Sequence, residues 1–154
     1  MNIKVFKGFT DHVMRGFNRE IDVNLRNIEM HLLVMVNEQP NRPLHVYARH
    51  IGLEKGSFTY LLEVLEEKGY LLRKEDSADR RRKYIVLTEK GKEVTAYIQD
   101  KENAYVEKVL NTFSIEEQQT IKDAAAILDN YLKKEHEKHG KRHPDGFPEP
   151  PRGE

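Results

Sequence analysis

Six basic side chains lie between Leu72 and Lys83: Arg73, Lys74, Arg80, Arg81, Arg82 and Lys83, against the acidic Glu75, Asp76 and Asp79. Such a concentration of guanidinium and ammonium groups is suited to binding phosphate oxygens. Formal net charge is zero over 154 residues, yet the charge is not evenly spread. From Arg42 to Lys92 there are 12 Lys/Arg and 8 Asp/Glu, a net of +4, leaving 14 against 18 elsewhere. The middle of the chain can therefore attract a polyanion although the whole is neutral.

Other chemistry is thinly represented. The absence of cysteine removes disulfides, thiolate catalysis and a cysteine-based oxidant sensor. Among the seven histidines, His136, His139 and His143 are spaced by three and four, whereas His31, His45 and His50 are scattered. A structural or sensory zinc needs about four ligands on ordered elements, so adventitious binding by the triplet is the expectation, and no metal or cofactor is assigned. There is no glycine-rich phosphate loop, activated serine arrangement or paired carboxylates suited to a cleft, so an enzyme is not expected.

The elements that must position the basic cluster can be read from periodicity. Ile3, Phe6, Phe9, Val13, Phe17 and Ile21 recur at three and four, a helical stripe, and Ile28 to Val36 forms a second apolar run. The stretch 37–43, with Pro40 and Pro43, reads as a loop. Leu44 to Ile51 is a short helix stopped by Gly52; Phe58, Leu61, Leu62 and Leu65 mark the next, stopped by Gly69. Two short helices about a glycine-containing turn make a helix-turn-helix pattern. Residues 70–74 and 83–87 favour strands, and the polar stretch between them makes a β-hairpin, the wing. Thr88 is placed to cap a long helix from about Glu89 to Phe113, and Ser114 with Glu117 forms a capping box for a last helix carrying Ile121, Ala125, Leu128 and Leu132. From His136 the chain is rich in proline, glycine and charge, which predicts a disordered tail over 136–154.

Two stretches carry a family resemblance. Asp79-Arg80-Arg81 followed by Leu87-Thr88-Glu89-Lys90-Gly91 resembles the D-x-R…L-T-x-x-G signature of the MarR family of bacterial regulators. Leu65-Glu66-Glu67-Lys68-Gly69-Tyr70 is similar to the end of that family's reading helix, and Arg73 matches a basic position after it. The resemblance runs from about Leu25 to Leu132 and departs at Glu54, where serine is common, and at Tyr60 and Val64, where arginine is common. It implies a mainly α fold with a small β-hairpin wing (α+β), a winged helix-turn-helix over about 25–90. Dimerisation helices would lie at 1–24 and 91–135, within one domain over 1–135.

From this follow the expected site residues. Lys55, Ser57, Thr59 and Tyr60 on the reading helix would meet bases or phosphates in the major groove. Arg73, Lys74, Asp79, Arg80, Arg81, Arg82 and Lys83 would form the DNA-binding wing; Arg81 would enter the minor groove, and Asp79 would pair with an arginine to hold the tip. Phe6, Phe9, Phe17, Leu128 and Leu132 are the expected homodimer positions, and two-fold pairing would match a pseudo-palindromic operator. His12, Phe17, Met30 and Met35 are candidates for a pocket taking a small aromatic ligand. The expected function is a sequence-specific double-stranded-DNA-binding transcriptional regulator, a repressor released by a small molecule. The alternatives are a protein-interaction or dimerisation module without DNA binding and a metal-responsive regulator. No apolar run approaches the roughly 18–20 residues that span a bilayer, and the first residues lack a signal-peptide pattern. The expected location is cytoplasmic and nucleoid-associated.

Overall fold

Capping glycines punctuate the middle of the chain. The computed structural model describes residues 3–77, 79 and 82–140. Its elements, in order, are α1 (Ile3–Glu20), α2 (Asn27–Glu38), α3 (Leu44–Ile51), α4 (Lys55–Glu67), β1 (Leu71–Glu75), β2 (Lys83–Leu87), α5 (Glu89–Leu110) and α6 (Ile115–Gly140). Gly52 and Gly69 both adopt φ of +75°, a left-handed geometry open to glycine at little cost. The two closures match: Gly52 and Leu53 N–H donate to Arg49 and Ala48 carbonyls, and Gly69 and Tyr70 N–H donate to Glu66 and Leu65 carbonyls. The Gly69 turn leads from α4 directly into the hairpin.

The strands pair antiparallel from Leu71↔Leu87 to Glu75↔Lys83. Their inner side delivers Leu71 and Ile85 to a core with Leu32, Leu33 and Val36 of α2, Tyr47 of α3, and Phe58, Leu61, Leu62 and Leu65 of α4. The helix-turn-helix and wing thus share one apolar centre, which fixes the wing's direction relative to α4.

The described residues fall into two units that divide after Tyr105. In the first, Phe17 of α1 is buried against Tyr105 of α5, the rings tilted with centroids 6.3 Å apart. The second holds the end of α5 and all of α6. Ser114 N–H donates to Glu117 and Glu117 N–H to the Ser114 hydroxyl, the reciprocal cap expected at the start of α6. Two helix ends differ from expectation. α5 stops at Leu110, because Thr112 and Phe113 N–H turn to carbonyls three residues back and the ladder tightens before the Ser114 cap. α6 continues through Gly140, past His136, where the tail was expected to begin. Glu135, Glu137 and Lys138 are helix-compatible without an apolar period, so loss of the stripe at His136 did not end the helix. The rest of the expected tail, 141–154, lies outside the described residues.

A buried carboxylate ties the start of α2 to the end of α4. Glu29 is only 1% exposed; it accepts from the Arg26 backbone (2.9 Å), the Arg26 guanidinium (2.9 Å) and Lys68 Nζ (2.8 Å). Burial pushes its pKa up, but the bonds from Lys68 and Arg26 outweigh this and hold it below the ordinary carboxylate value of 4.5. A depressed folded pKa adds stability above the unfolded value, and that contribution is lost as pH falls through the folded one. Glu29→Gln should therefore cost about 1–3 kcal/mol at neutral pH, where a charge-assisted bond becomes a poorly matched amide. In urea unfolding the gap from wild type should shrink below pH 4.5 as Glu29 takes up its proton. A gap independent of pH would assign the loss to packing.

Candidate nucleic-acid interface

α4 has one face in the core and one in solvent. Phe58, Leu61, Leu62 and Leu65 are buried, whereas Lys55, Ser57 and Tyr60 are exposed, Tyr60 to 61%. These three expected reading residues lie together on the first two turns. Thr59 is half-buried, and its hydroxyl donates to the Lys55 carbonyl (2.9 Å), which leaves it as an acceptor at the edge of that face.

The hairpin places its basic residues by strand alternation. Lys74 and Lys83 are exposed and make no ion pair with a described residue. At the tip, Asp76 N–H donates to the Arg82 carbonyl (3.0 Å), Arg82 N–H to the Asp79 carbonyl (2.8 Å), and Asp79 N–H to Asp76 Oδ1 (3.2 Å). Arg82 Nε lies 3.8 Å from Asp79 Oδ2, the expected tip pairing. Arg80 and Arg81, the latter the expected minor-groove residue, lie outside the described residues.

Arg73, expected in the DNA-binding wing, is engaged within the chain. It stands opposite Ile85 in the register, on the side that faces α4. Its guanidinium donates to Glu66 Oε2 (2.7 Å), its backbone N–H donates to Glu66 Oε1 (3.0 Å), and Glu63 lies 4.0 Å away. Burial raises the Glu66 pKa, and the bonds from Arg73 more than reverse that, so the carboxylate stays charged. Arg73 therefore ties α4 to β1 through Glu66.

One surface was missed by sequence reasoning. On α3, Arg49 is exposed, and Arg42 is exposed in the loop before it; neither has an ion pair with a described residue. The first helix of a helix-turn-helix crosses the DNA backbone, so these are phosphate candidates. Their signal was the excess of basic residues beginning at Arg42.

Residues 25–83, which span α2 through the start of β2, match the profile of the MarR family. The transcriptional regulator MhqR of Bacillus subtilis is 27% identical over 114 residues, 74% of this chain and 77% of that protein. The regulator SarZ of Staphylococcus saprophyticus is 28% identical over 131 residues, 85% of this chain and 82% of that one. Over residues 25–83 the chain is similar to the MarR family. The fold agrees: FabT of Streptococcus pneumoniae, solved in complex with DNA, superposes with a TM-score of 0.69 at 23% identity, covering 86% of this chain and 95% of FabT. The chain is a winged helix-turn-helix DNA-binding transcriptional regulator similar to the MarR family, which is a family of regulators rather than enzymes.

The remaining expected sites are placed unevenly. Phe6 and Phe9 are exposed on α1, and Leu128 and Leu132 on α6, as interface positions must be. Phe17 does not join them: it is 4% exposed, with its ring packed against Tyr105. The four expected pocket residues do not line one cavity. Met30 and Met35 are buried on α2, Phe17 is buried on α1, and His12 opens with Arg15, Arg19 and Tyr105 onto a groove of about 310 Å³. The His31 and His50 rings face each other with centroids 6.4 Å apart. No group of three or more metal-ligating side chains is assembled among the described residues. No described helix is long and apolar enough to cross a membrane.

Proposed function

We propose that this regulator works in the cytoplasm as a two-fold dimer that represses transcription at a pseudo-palindromic operator, without catalysing a reaction. Lys55, Ser57, Thr59 and Tyr60 enter the major groove. Lys74, Lys83, Arg82 and the sequence neighbours Arg80 and Arg81 reach the adjacent backbone and minor groove. The single observation behind this is the two-sidedness of α4: its apolar side is used by the core, Lys55, Ser57 and Tyr60 stand in solvent, and exposed cations occur in the segments before and after it, at Arg42, Arg49, Lys74 and Lys83. An interaction module has no need of cations on both flanks of that helix.

Duplex binding through the wing is tested by salt titration. Arg81→Ala and Lys83→Ala should each weaken operator binding and lower the log–log salt slope by about 0.9 per lost phosphate contact. A slope equal to wild type in both variants would remove the wing from the interface.

Release by a small molecule is proposed as well, and the groove beside His12, lined by Arg15, Arg19, Glu20 and the aromatic wall of Tyr105, supports a small polar effector. Binding would shift the population between DNA-competent and incompetent spacings of the two reading helices.

A further inference from the structure

We propose that Glu54 determines operator specificity by accepting a hydrogen bond from the exocyclic amino group of a cytosine. The inference rests on α4 being the helix that enters the groove. Glu54 immediately precedes α4, is exposed and has extended backbone (φ −69°, ψ 158°). A carboxylate there commonly folds back onto the first free N–H groups of its helix. This one makes no such bond, and it has no ion pair with a described residue. Two carboxylates near other helix starts are tied down: Glu29 accepts from the Arg26 N–H and Glu117 from the Ser114 N–H. Glu54 is left for a partner outside the protomer.

Two neighbouring features agree. A Cβ added at Gly56 would meet nothing within 4 Å, so packing inside the protomer does not require glycine at this position. Glycine is a poor helix residue, but bare backbone on the first turn lets a base pair come close. The outward side of α4 also lacks arginine: it carries Lys55, Ser57, Tyr60, Glu63 and Glu67, and nearby Arg73 is held by Glu66. The usual bidentate reading of guanine by arginine is therefore not offered by this helix.

Hydrogen-bond matching then selects the base. An ionised carboxylate only accepts. Major-groove donors are the amino groups of cytosine and adenine, and adenine sets its donor beside the N7 acceptor, which repels a carboxylate. Cytosine presents a donor alone. A carboxylate next to phosphates also penalises every duplex lacking that donor, which raises discrimination at the expense of non-specific affinity.

The test is selection from a random duplex library by wild-type protein, Glu54→Gln and Glu54→Ala, with thermal unfolding as a check on folding. Wild type should enrich a palindrome with cytosine at one position of each half-site. Glu54→Ala should lose discrimination at that position by about tenfold to a hundredfold and keep the rest of the site. Glu54→Gln should shift that position toward adenine, which an amide reads bidentately. If all three proteins select one consensus and Glu54→Ala binds every duplex more tightly, the carboxylate only repels phosphate and the proposal is overturned. If wild type enriches no duplex, duplex recognition itself fails and the assignment of Glu54 falls with it.

Discussion

Gly91→Ala should destabilise the protein by about 3 kcal/mol and lower its melting temperature by roughly 10 °C. Gly91 lies in the first turn of α5, where the helix leaves the hairpin. A Cβ there would fall 1.9 Å from the Tyr70 carbonyl oxygen and 2.9 Å from its carbon. Both are backbone atoms, so no side-chain rotation relieves the clash. They are also held in place: Thr88 N–H donates to the Tyr70 carbonyl (3.0 Å), and the Thr88 hydroxyl donates to the Gly69 carbonyl (2.7 Å) while accepting from Gly91 N–H (2.9 Å). Opening space at Gly91 would break this knot and move the end of α4, the base of the wing and the start of α5 together. Gly8→Ala is the control, since a Cβ at Gly8 meets nothing within 4 Å. It should stabilise the exposed helix α1 by about 0.5–1 kcal/mol. Differential scanning calorimetry checks both. A Gly91→Ala protein melting within 2 °C of wild type, on the order of 1 kcal/mol or less, would show that α5 can slide away without cost.

The Leu-Thr-x-x-Gly stretch was visible as a pattern, but its reason was not. A sequence shows that Thr88 can cap a helix; it does not show that the same hydroxyl reaches Gly69, 19 residues earlier. Local signals gave the helix-turn-helix, the two strands and the Ser114 cap, because caps, glycine stops and periodicity act over a few residues. Contacts across elements were less legible. Arg73 looked like part of a basic cluster because composition ignores alternation, and only the register places it opposite Ile85 and within reach of Glu66. Phe17 and Phe9 share the stripe on α1, yet Tyr105 covers Phe17 and leaves Phe9 exposed. Nothing within α1 could say which aromatic ring would find a partner in α5.

Replacing Leu128 and Leu132 together by glutamate should convert the protein to monomers and weaken operator binding by about 10²–10⁴-fold. The reason lies in what the second unit lacks. Among residues 106–135 no side chain is fully buried. Ile127, Leu128, Tyr131 and Leu132 of α6 are 70%, 46%, 59% and 53% exposed, and their spacing of one, three and four makes one continuous stripe. A helix with an unpartnered apolar stripe gains little from folding alone, since tertiary packing supplies most helical stability in water. A second copy of α6 offers an equally apolar partner by two-fold symmetry. Two glutamates on the stripe would put unpaired charge into that contact, which a desolvated interface tolerates poorly. Monomers would still carry the reading helix and wing, so each half-site contact survives, and the loss comes from separating two binding events that dimerisation had made intramolecular. Light scattering after size exclusion reports the mass, and a mobility shift on the selected operator reports the affinity. Wild-type melting temperature should also rise with protein concentration, and that dependence should vanish in the variant. A double variant that keeps its dimeric mass and its operator affinity would move the dimer contact away from α6.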